Sequence, residues 1–165
     1  MKKLLGAGLV ALLGLPALPA AAAVLGPDAA ACARDDPALL VRVDGFKART
    51  GTLRVQIYGD NPADFLAKGK KLRRIDLPVT PRGPMDVCVA VPAPGEYAVA
   101  VRHDLDGNGK SGWSDGGGFS RNPSISLLKL KPSYRDVAIQ VGESVKRLAV
   151  VLNYRQGLSI GPVDG

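Results

Sequence analysis

Seven short segments of alternating or β-branched residues, separated by turn sequences, limit most strongly how this chain can fold. They cover residues 39–43, 52–58, 73–79, 85–91, 95–103, 135–141 and 147–154. A period of two is typical of strands with one face in a core, and turns rich in glycine, proline, asparagine and aspartate separate the segments. The pattern predicts an all-β protein, an antiparallel β-sandwich of about seven or eight strands. A short helical turn is expected in residues 62–71, capped by Asn61 or Asp60.

The first residues are typical of a secretory signal peptide. A basic start at Met1–Lys3 precedes the apolar run Leu4–Leu15 and the small-residue stretch Pro19–Ala23. The apolar run is too short to span a bilayer, and no other run approaches that length, so we expect no transmembrane segment in the mature chain. We therefore predict a signal peptide at 1–22 and a periplasmic or secreted location.

The 165-residue length favours one domain. We assign 23–37 to an N-terminal segment, 38–155 to the β-sandwich and 156–165 to a C-terminal tail.

Two cysteines, Cys32 and Cys88, occur in this exported chain. An even number of cysteines outside the cytoplasm predicts a disulfide. The alternatives are two free thiols, or a lipoprotein modified at Cys32, although Cys32 lies well beyond the apolar run. In the strand at 85–91 the alternation places Val87 and Val89 towards the core and Cys88 on the less buried face. The disulfide would then hold the N-terminal segment across the outside of the sheet.

The charge balance is basic, with 22 Lys+Arg against 15 Asp+Glu and a net charge of +7. Removing Lys2 and Lys3 with the signal peptide leaves 20 basic residues and a net charge of +5. The densest basic stretch is a candidate binding surface for an anionic cell-envelope component. It consists of Lys68, Lys70, Lys71, Arg73 and Arg74. The sequence favours the simpler interpretation, a solvated loop and strand edge whose charges discourage edge-to-edge pairing. Because no aromatic residues are interleaved, we expect no nucleic-acid partner.

An Asp- and Gly-rich segment lies in the long connection after the strand at 95–103. Its oxygen-bearing residues have the spacing of a twelve-residue calcium loop, with Gly109 at the sixth position. The predicted ligands are Asp104, Asp106, Asn108, the Lys110 carbonyl and Asp115. The flanking segments are strand-like, so the loop is not an EF-hand. Calcium is thus the possible cofactor; the alternative is a loop closed by Asx-turns.

His103 and Trp113 are two further candidate binding residues beside this loop. His103 is the only histidine, so any hydrolytic Ser-His-Asp or Cys-His arrangement would have to use it. A glycosidase-like pair could instead come from the loop carboxylates. No G-x-S-x-G elbow is present, and no catalytic residue is assigned.

Several ordered motifs resemble a bacterial exported family catalogued as domain of unknown function 2141. They include the strand and loop at 94–104 and 106–110, then 118–123 and 132–138, with upstream matches at 53–55, 65–66, 69–70 and 72–74. The resemblance extends over about residues 39–152. It implies an exported transthyretin-like or immunoglobulin-like β-sandwich and no established activity. A basic, leucine-rich stretch, Ser126–Lys131, replaces the family pattern after the Gly-rich loop.

These observations favour a non-enzymatic binding or accessory module of the cell envelope. One alternative is a hydrolase that acts on envelope polymers through His103 and the loop carboxylates. Another is a structural protein associated with the outer membrane through its basic face.

Overall fold

The computed structural model describes residues 23–163. The predicted signal peptide at 1–22 lies outside the described residues. Neither of the two short α-helices within 23–163 has the length or the apolar character needed to cross a membrane.

Strands make up most of the regular structure. In chain order they are β1 Val24–Leu25, β2 Ala38–Asp44, β3 Thr52–Tyr58, β4 Arg73–Pro78, β5 Met85–Ala90, β6 Gly95–Asp104, β7 Gly116–Phe119, β8 Ile139–Val141, β9 Val145–Val151, β10 Tyr154–Gln156 and β11 Ser159–Gly161. The helices are α1 Ala29–Ala33 and α2 Tyr134–Val137, with a 3₁₀ turn at Pro62–Asp64. Asn61 caps that turn, its side chain accepting from the Ala63 amide at 3.1 Å, as the sequence predicted.

Two sheets form the predicted sandwich. One has the strand order β1-β5-β2-β9, and the other has the order β4-β3-β6-β7 with β8 paired to the first part of β6. Most neighbours are antiparallel, but β1 pairs with β5 and β2 with β9 in parallel. Parallel pairing needs a long connection, and most of the sandwich lies between β2 and β9 in sequence. The predicted all-β, mainly antiparallel sandwich is confirmed, with parallel pairing at these two places.

The core lies between the sheets and is built from alternate strand residues. Leu39, Val41 and Val43 of β2 face Leu53, Val55 and Ile57 of β3 within one buried cluster. Met85, Val87 and Val89 belong to the same cluster, as the alternation predicted. Burial of these large aliphatic side chains supplies the main driving force for folding.

Each sheet is also covered on its outer face. On β6, Ala98 and Ala100 pack under Tyr134 and Val137 of α2, while Tyr97, Val99 and Val101 face the core. On the other sheet, Ala31 of α1 packs against Leu40 and Cys88. The small alanines of β6 leave room for this covering layer, so both faces of the strand are buried.

The disulfide between Cys32 and Cys88 is present, with a Cα–Cα distance of 6.1 Å. It joins α1 to the outer face of β5, as expected from the alternation. Cys88 is nevertheless fully buried, because α1 covers it. The expectation of a less buried face is therefore corrected.

Three segments differ from the sequence predictions. The expected strand at 135–141 is divided into α2 and β8, because the Asp136 carboxylate accepts a hydrogen bond from the Ser133 amide at 3.1 Å and starts a helical turn. The expected strand at 147–154 is likewise divided, between β9 and β10. Between β7 and α2, residues 126–130 form a turn with one bridge, between Ser126 and Lys129. The segment 156–165, expected to be a tail, contains β11, which pairs with β10.

Candidate functional site

The Asp- and Gly-rich loop connects β6 to β7 at one edge of the second sheet. β6 brings Asp104 to the start of the loop, where its backbone pairs with Thr52 of β3. Asp106 and Asp115 fold back towards it, and the three carboxylates each place an oxygen within 4.8 Å of the others. The structure thus brings together the three charged residues of the predicted ligand set.

The two oxygens of Asp104 have different environments. Oδ2 accepts hydrogen bonds from the Gly109 amide at 2.8 Å and from Arg102 Nη2 at 3.2 Å. Oδ1 is buried and has no hydrogen-bond partner among the described residues, and the whole residue is only 2% exposed. An anionic oxygen of this kind is costly to bury without a partner.

The electrostatic balance keeps this buried carboxyl ionised. Burial acts to raise the pKa of Asp104, but the hydrogen bond from the Gly109 amide and the charge of Arg102 outweigh it, so the pKa is lowered. Arg102 also donates to Ser111 Oγ at 2.8 Å and to the Gly109 carbonyl at 3.1 Å. Arg102 was not among the predicted site residues; its only signal in the sequence is its place two residues before Asp104, on the same face of β6.

The remaining predicted ligands are held by short-range turns. Asp106 Oδ1 accepts from the Asn108 amide at 3.2 Å, and Asn108 Oδ1 accepts from the Lys110 amide at 2.7 Å. Asp115 accepts from the Gly112 amide at 2.9 Å and from the Leu105 amide at 3.2 Å. The Asp106 and Asn108 contacts are the Asx-turns of the alternative interpretation, whereas Asp115 accepts from amides earlier in the loop. Together they fix the positions of the same oxygens that a cation would need.

Gly51 supports the start of the loop and was recognised in the sequence only as a turn residue. Its φ of +74° and its contact with β6 both require glycine, since an added Cβ would lie 2.0 Å from the Asp104 carbonyl oxygen and 2.7 Å from that of Leu105. Next to it, Thr50 Oγ1 donates to the Leu105 carbonyl at 3.2 Å. The preceding loop is therefore in direct contact with the candidate site.

His103 points away from this loop and into the core. It is fully buried, and its Nε2 lies 2.8 Å from the Thr50 carbonyl oxygen, which can only accept. Nε2 therefore carries the proton, and Nδ1 accepts from the Tyr154 hydroxyl at 2.6 Å. Both ring nitrogens are engaged within the chain. The candidate binding role of His103 is corrected to a structural one, and the hydrolase alternative loses the histidine on which it depended.

Trp113 lies on the outer side of the loop and is 69% exposed. The Arg155 guanidinium carbon stands 4.6 Å from the centroid of its ring. Together with Ile125, Leu130 and Ile160, Trp113 borders a shallow cavity of about 190 Å³. Of the two extra candidates, only Trp113 can therefore contact a ligand.

Three of the five residues of the basic stretch pair with nearby carboxylates, one of which, Asp76, is shared with Arg54. Arg73 forms a two-point ion pair with Asp28, and Asp28 also accepts from the Ala90 amide at 3.1 Å, which fastens the N-terminal segment to the sandwich. Arg74 pairs with Asp76 at 2.5 Å. Lys70 pairs with Asp64 at 3.5 Å, whereas within residues 23–163 Lys68 and Lys71 form no ion pair. The stretch is therefore not one uniform cationic surface.

The chain is thus a β-sandwich protein with an acidic loop between two strands of one sheet. The family model for uncharacterized proteins conserved in bacteria, DUF2141, matches residues 41–149. The chain belongs to that family, which confirms the resemblance seen in the sequence.

Comparisons with other proteins yield one solved structure and no curated relative. A search of curated proteins gave no match. The crystal structure of a candidate adhesin from Bacteroides ovatus is similar with a TM-score of 0.32 and 17% sequence identity. The similarity covers 71% of this chain and 44% of the adhesin chain, so this protein spans less than half the length of that structure.

Proposed function

We propose that this protein is an exported, non-enzymatic accessory module of the cell envelope that binds calcium in the loop from Asp104 to Asp115, with an anionic envelope component as its partner. The Cys32–Cys88 disulfide supports a location outside the cytoplasm, where such bonds persist.

One observation carries the calcium proposal: the buried, unpartnered Oδ1 of Asp104 belongs to a group of three converging carboxylates. Three close negative charges repel one another, and Arg102 is the only cation of the described residues recorded in contact with Asp104. A divalent cation would satisfy the free oxygen and reduce that repulsion. The feature is thus better explained by an ion site than by Asx-turns alone.

The ligand chemistry favours calcium over softer metals. Ca²⁺ prefers six to eight oxygen ligands in flexible geometry, and oxygens are what this loop offers. Asp104, Asp106 and Asp115 would supply carboxylates, Asn108 an amide oxygen, and Lys110 a backbone carbonyl. Mg²⁺ demands a tighter octahedral arrangement and releases its water reluctantly, so it should bind less well.

Calcium titration followed by thermal and urea unfolding tests the proposal. A short aspartate at the last position indicates an affinity in the range of extracellular modules, about 10⁻⁴ to 10⁻³ M. Binding to the folded state alone would then raise the free energy of unfolding by roughly 1.4 to 2.7 kcal/mol at about 10 mM calcium. Isothermal titration calorimetry on the same protein measures the affinity directly.

Charge-removing variants locate the effect. Asp104→Asn and Asp106→Asn should each weaken the calcium response, and together they should abolish it. Asp106 is exposed, so its variant is expected to fold even if the buried Asp104 variant does not. Glu143→Gln is the matched control, because it removes one exposed carboxylate far from the loop. Glu143 lies just before β9, whereas the loop ends at β7, which bridges to Asn153 just after β9. Unfolding curves that coincide with calcium and with chelator would reject the ion site.

A further inference from the structure

Exposed apolar side chains are concentrated beside the candidate calcium loop. Among residues 23–163, six large hydrophobic residues are exposed, and four of them lie in three neighbouring turns. We call these four the apolar tip: Trp113 (69% exposed), Leu128 (100%), Leu130 (47%) and Leu158 (89%).

The turns that carry the apolar tip meet around one cavity. Trp113 and Leu130 border it together with Arg155 and Ile160. Leu128 lies in the same turn as Leu130. Leu158 lies in the turn between β10 and β11, and Arg155 and Ile160 lie on either side of that turn. Soluble proteins rarely leave apolar side chains grouped in this way unless the group is an interaction site.

Cations surround the apolar tip. Lys129 and Lys131 alternate with its leucines, Arg155 lies over the Trp113 ring, and Lys110 lies in the calcium loop. The acidic groups nearby are Asp136, 3.6 Å from Lys129, and the loop carboxylates. Apolar side chains interspersed with lysine and arginine match the chemistry of an anionic lipid surface, where the apolar groups enter the acyl boundary and the cations meet headgroups.

The form of the tip also favours a bilayer. A side chain that is entirely exposed at the end of a turn, such as Leu128, projects away from the body of the protein. Tryptophan is enriched at the level of lipid headgroups, because its ring is apolar and its N–H is polar.

We propose that the apolar tip inserts into the surface of an anionic phospholipid bilayer, and that calcium in the adjacent loop promotes the insertion. The second part rests on the proposed calcium function. Without the ion, the loop itself has a formal charge of −1, because Asp104, Asp106 and Asp115 outweigh Arg102 and Lys110. This charge opposes the attraction between the cations of the apolar tip and an anionic surface. A bound Ca²⁺ changes this local charge to +1. The ion would therefore act as an electrostatic switch, and lipid binding would in turn raise the affinity for calcium.

Trp113 is the only tryptophan of the chain, so its fluorescence reports on the tip alone. The test mixes the full protein with vesicles of phosphatidylcholine, or of equimolar phosphatidylcholine and phosphatidylglycerol, in calcium or in EDTA. We expect the emission maximum to move to shorter wavelength with the anionic vesicles, and more in calcium than in EDTA. Brominated lipids should quench this emission.

Matched variants separate insertion from general stickiness. Leu128→Ser with Leu130→Ser should weaken vesicle binding by about tenfold or more, since each leucine loses its burial in lipid. Val24→Ser with Leu72→Ser removes the other two of the six large exposed hydrophobic residues within 23–163 and should leave binding unchanged. Trp113 remains in all of these proteins.

A second pair of variants tests the charges. Lys129→Gln with Lys131→Gln should weaken binding to anionic vesicles more than Lys146→Gln with Arg147→Gln, which lowers the net charge equally at β9 on the other sheet. Equal losses from the two pairs would attribute binding to net charge alone and overturn insertion at the tip.

The outcomes distinguish the two proposals. No emission shift on anionic vesicles, in a protein that calcium still stabilises, would overturn the insertion and leave the calcium function in place. A shift of equal size in calcium and EDTA would support insertion and overturn the switch. Retention on an acidic polysaccharide without vesicle binding would also overturn the insertion, in favour of a glycan ligand.

Discussion

Removal of the Cys32–Cys88 disulfide should lower the free energy of unfolding by about 4 kcal/mol. The two cysteines are 56 residues apart, and closing a loop of that length in the unfolded chain costs this amount in the chain-entropy description. The loss is a substantial share of the stability of a small domain, typically about 5 to 15 kcal/mol. We therefore expect a global effect rather than a local one.

The contacts around α1 explain why it should stay in place in the folded protein. Asp28 pairs with Arg73 and accepts from the Ala90 amide, and Asp35 accepts from the Val145 amide at 2.9 Å. These interactions do not need the disulfide. The reduced protein should keep its β-sandwich spectrum and unfold at a lower urea concentration. Its dependence on denaturant should be somewhat steeper, because the unfolded chain without the disulfide is less compact and exposes more surface.

Urea unfolding followed by far-ultraviolet circular dichroism measures this effect. Trp113 is a poor probe because it is already exposed in the folded state. Cys32→Ala with Cys88→Ala should match the reduced wild type and be insensitive to reductant, since alanine buries no polar group. A loss below about 1 kcal/mol would refute the loop-entropy reasoning. Alkylation of both cysteines without reductant would refute the disulfide itself.

Two further substitutions test the loop support and a buried phenol. Gly51→Ala should lower the free energy of unfolding by several kcal/mol, since its Cβ would overlap the Asp104 carbonyl oxygen. Gly69→Ala is the control, because Gly69 also has a positive φ, +80°, but no described atom lies within 4 Å of the added Cβ. It should cost about 1 to 2 kcal/mol in urea unfolding. Equal costs would contradict the overlap. Burial, then the charges of Glu96 and Asp60, raise the pKa of Tyr134 to about 12, so folding should lose stability as the pH rises from 10 to about 12. Tyr134→Phe should reduce that loss of stability and change the free energy of unfolding little at pH 7, because the hydroxyl has no hydrogen-bond partner within residues 23–163. The same loss of stability at alkaline pH in Tyr134→Phe as in the wild type would contradict the role of Tyr134.

Several local features followed from the sequence because they depend on nearby residues. β2 to β6 lie where the period of two placed them, since alternation reflects one face packing in a core. The Asn61 cap followed from short-range turn chemistry. The convergence of Asp104, Asp106 and Asp115 followed from their spacing around glycines, within a dozen residues.

Other features depend on residues that are distant in sequence, and the tertiary structure alone decided them. β7 consists of three glycines and Phe119, so it has almost no pattern to read, and an added Cβ at Gly118 would lie 2.6 Å from a Val150 side chain. The parallel pairing of β2 with β9 joins strands about a hundred residues apart, and alternation does not specify a partner. The sequence made His103 a candidate binding residue, but Tyr154 and Thr50, each about fifty residues away, form hydrogen bonds with both of its ring nitrogens. The sequence by itself determined which residues face inward and which oxygens cluster, because those are local properties of the backbone. Which outer surfaces are covered and which polar groups are satisfied was decided only by the packing of distant segments.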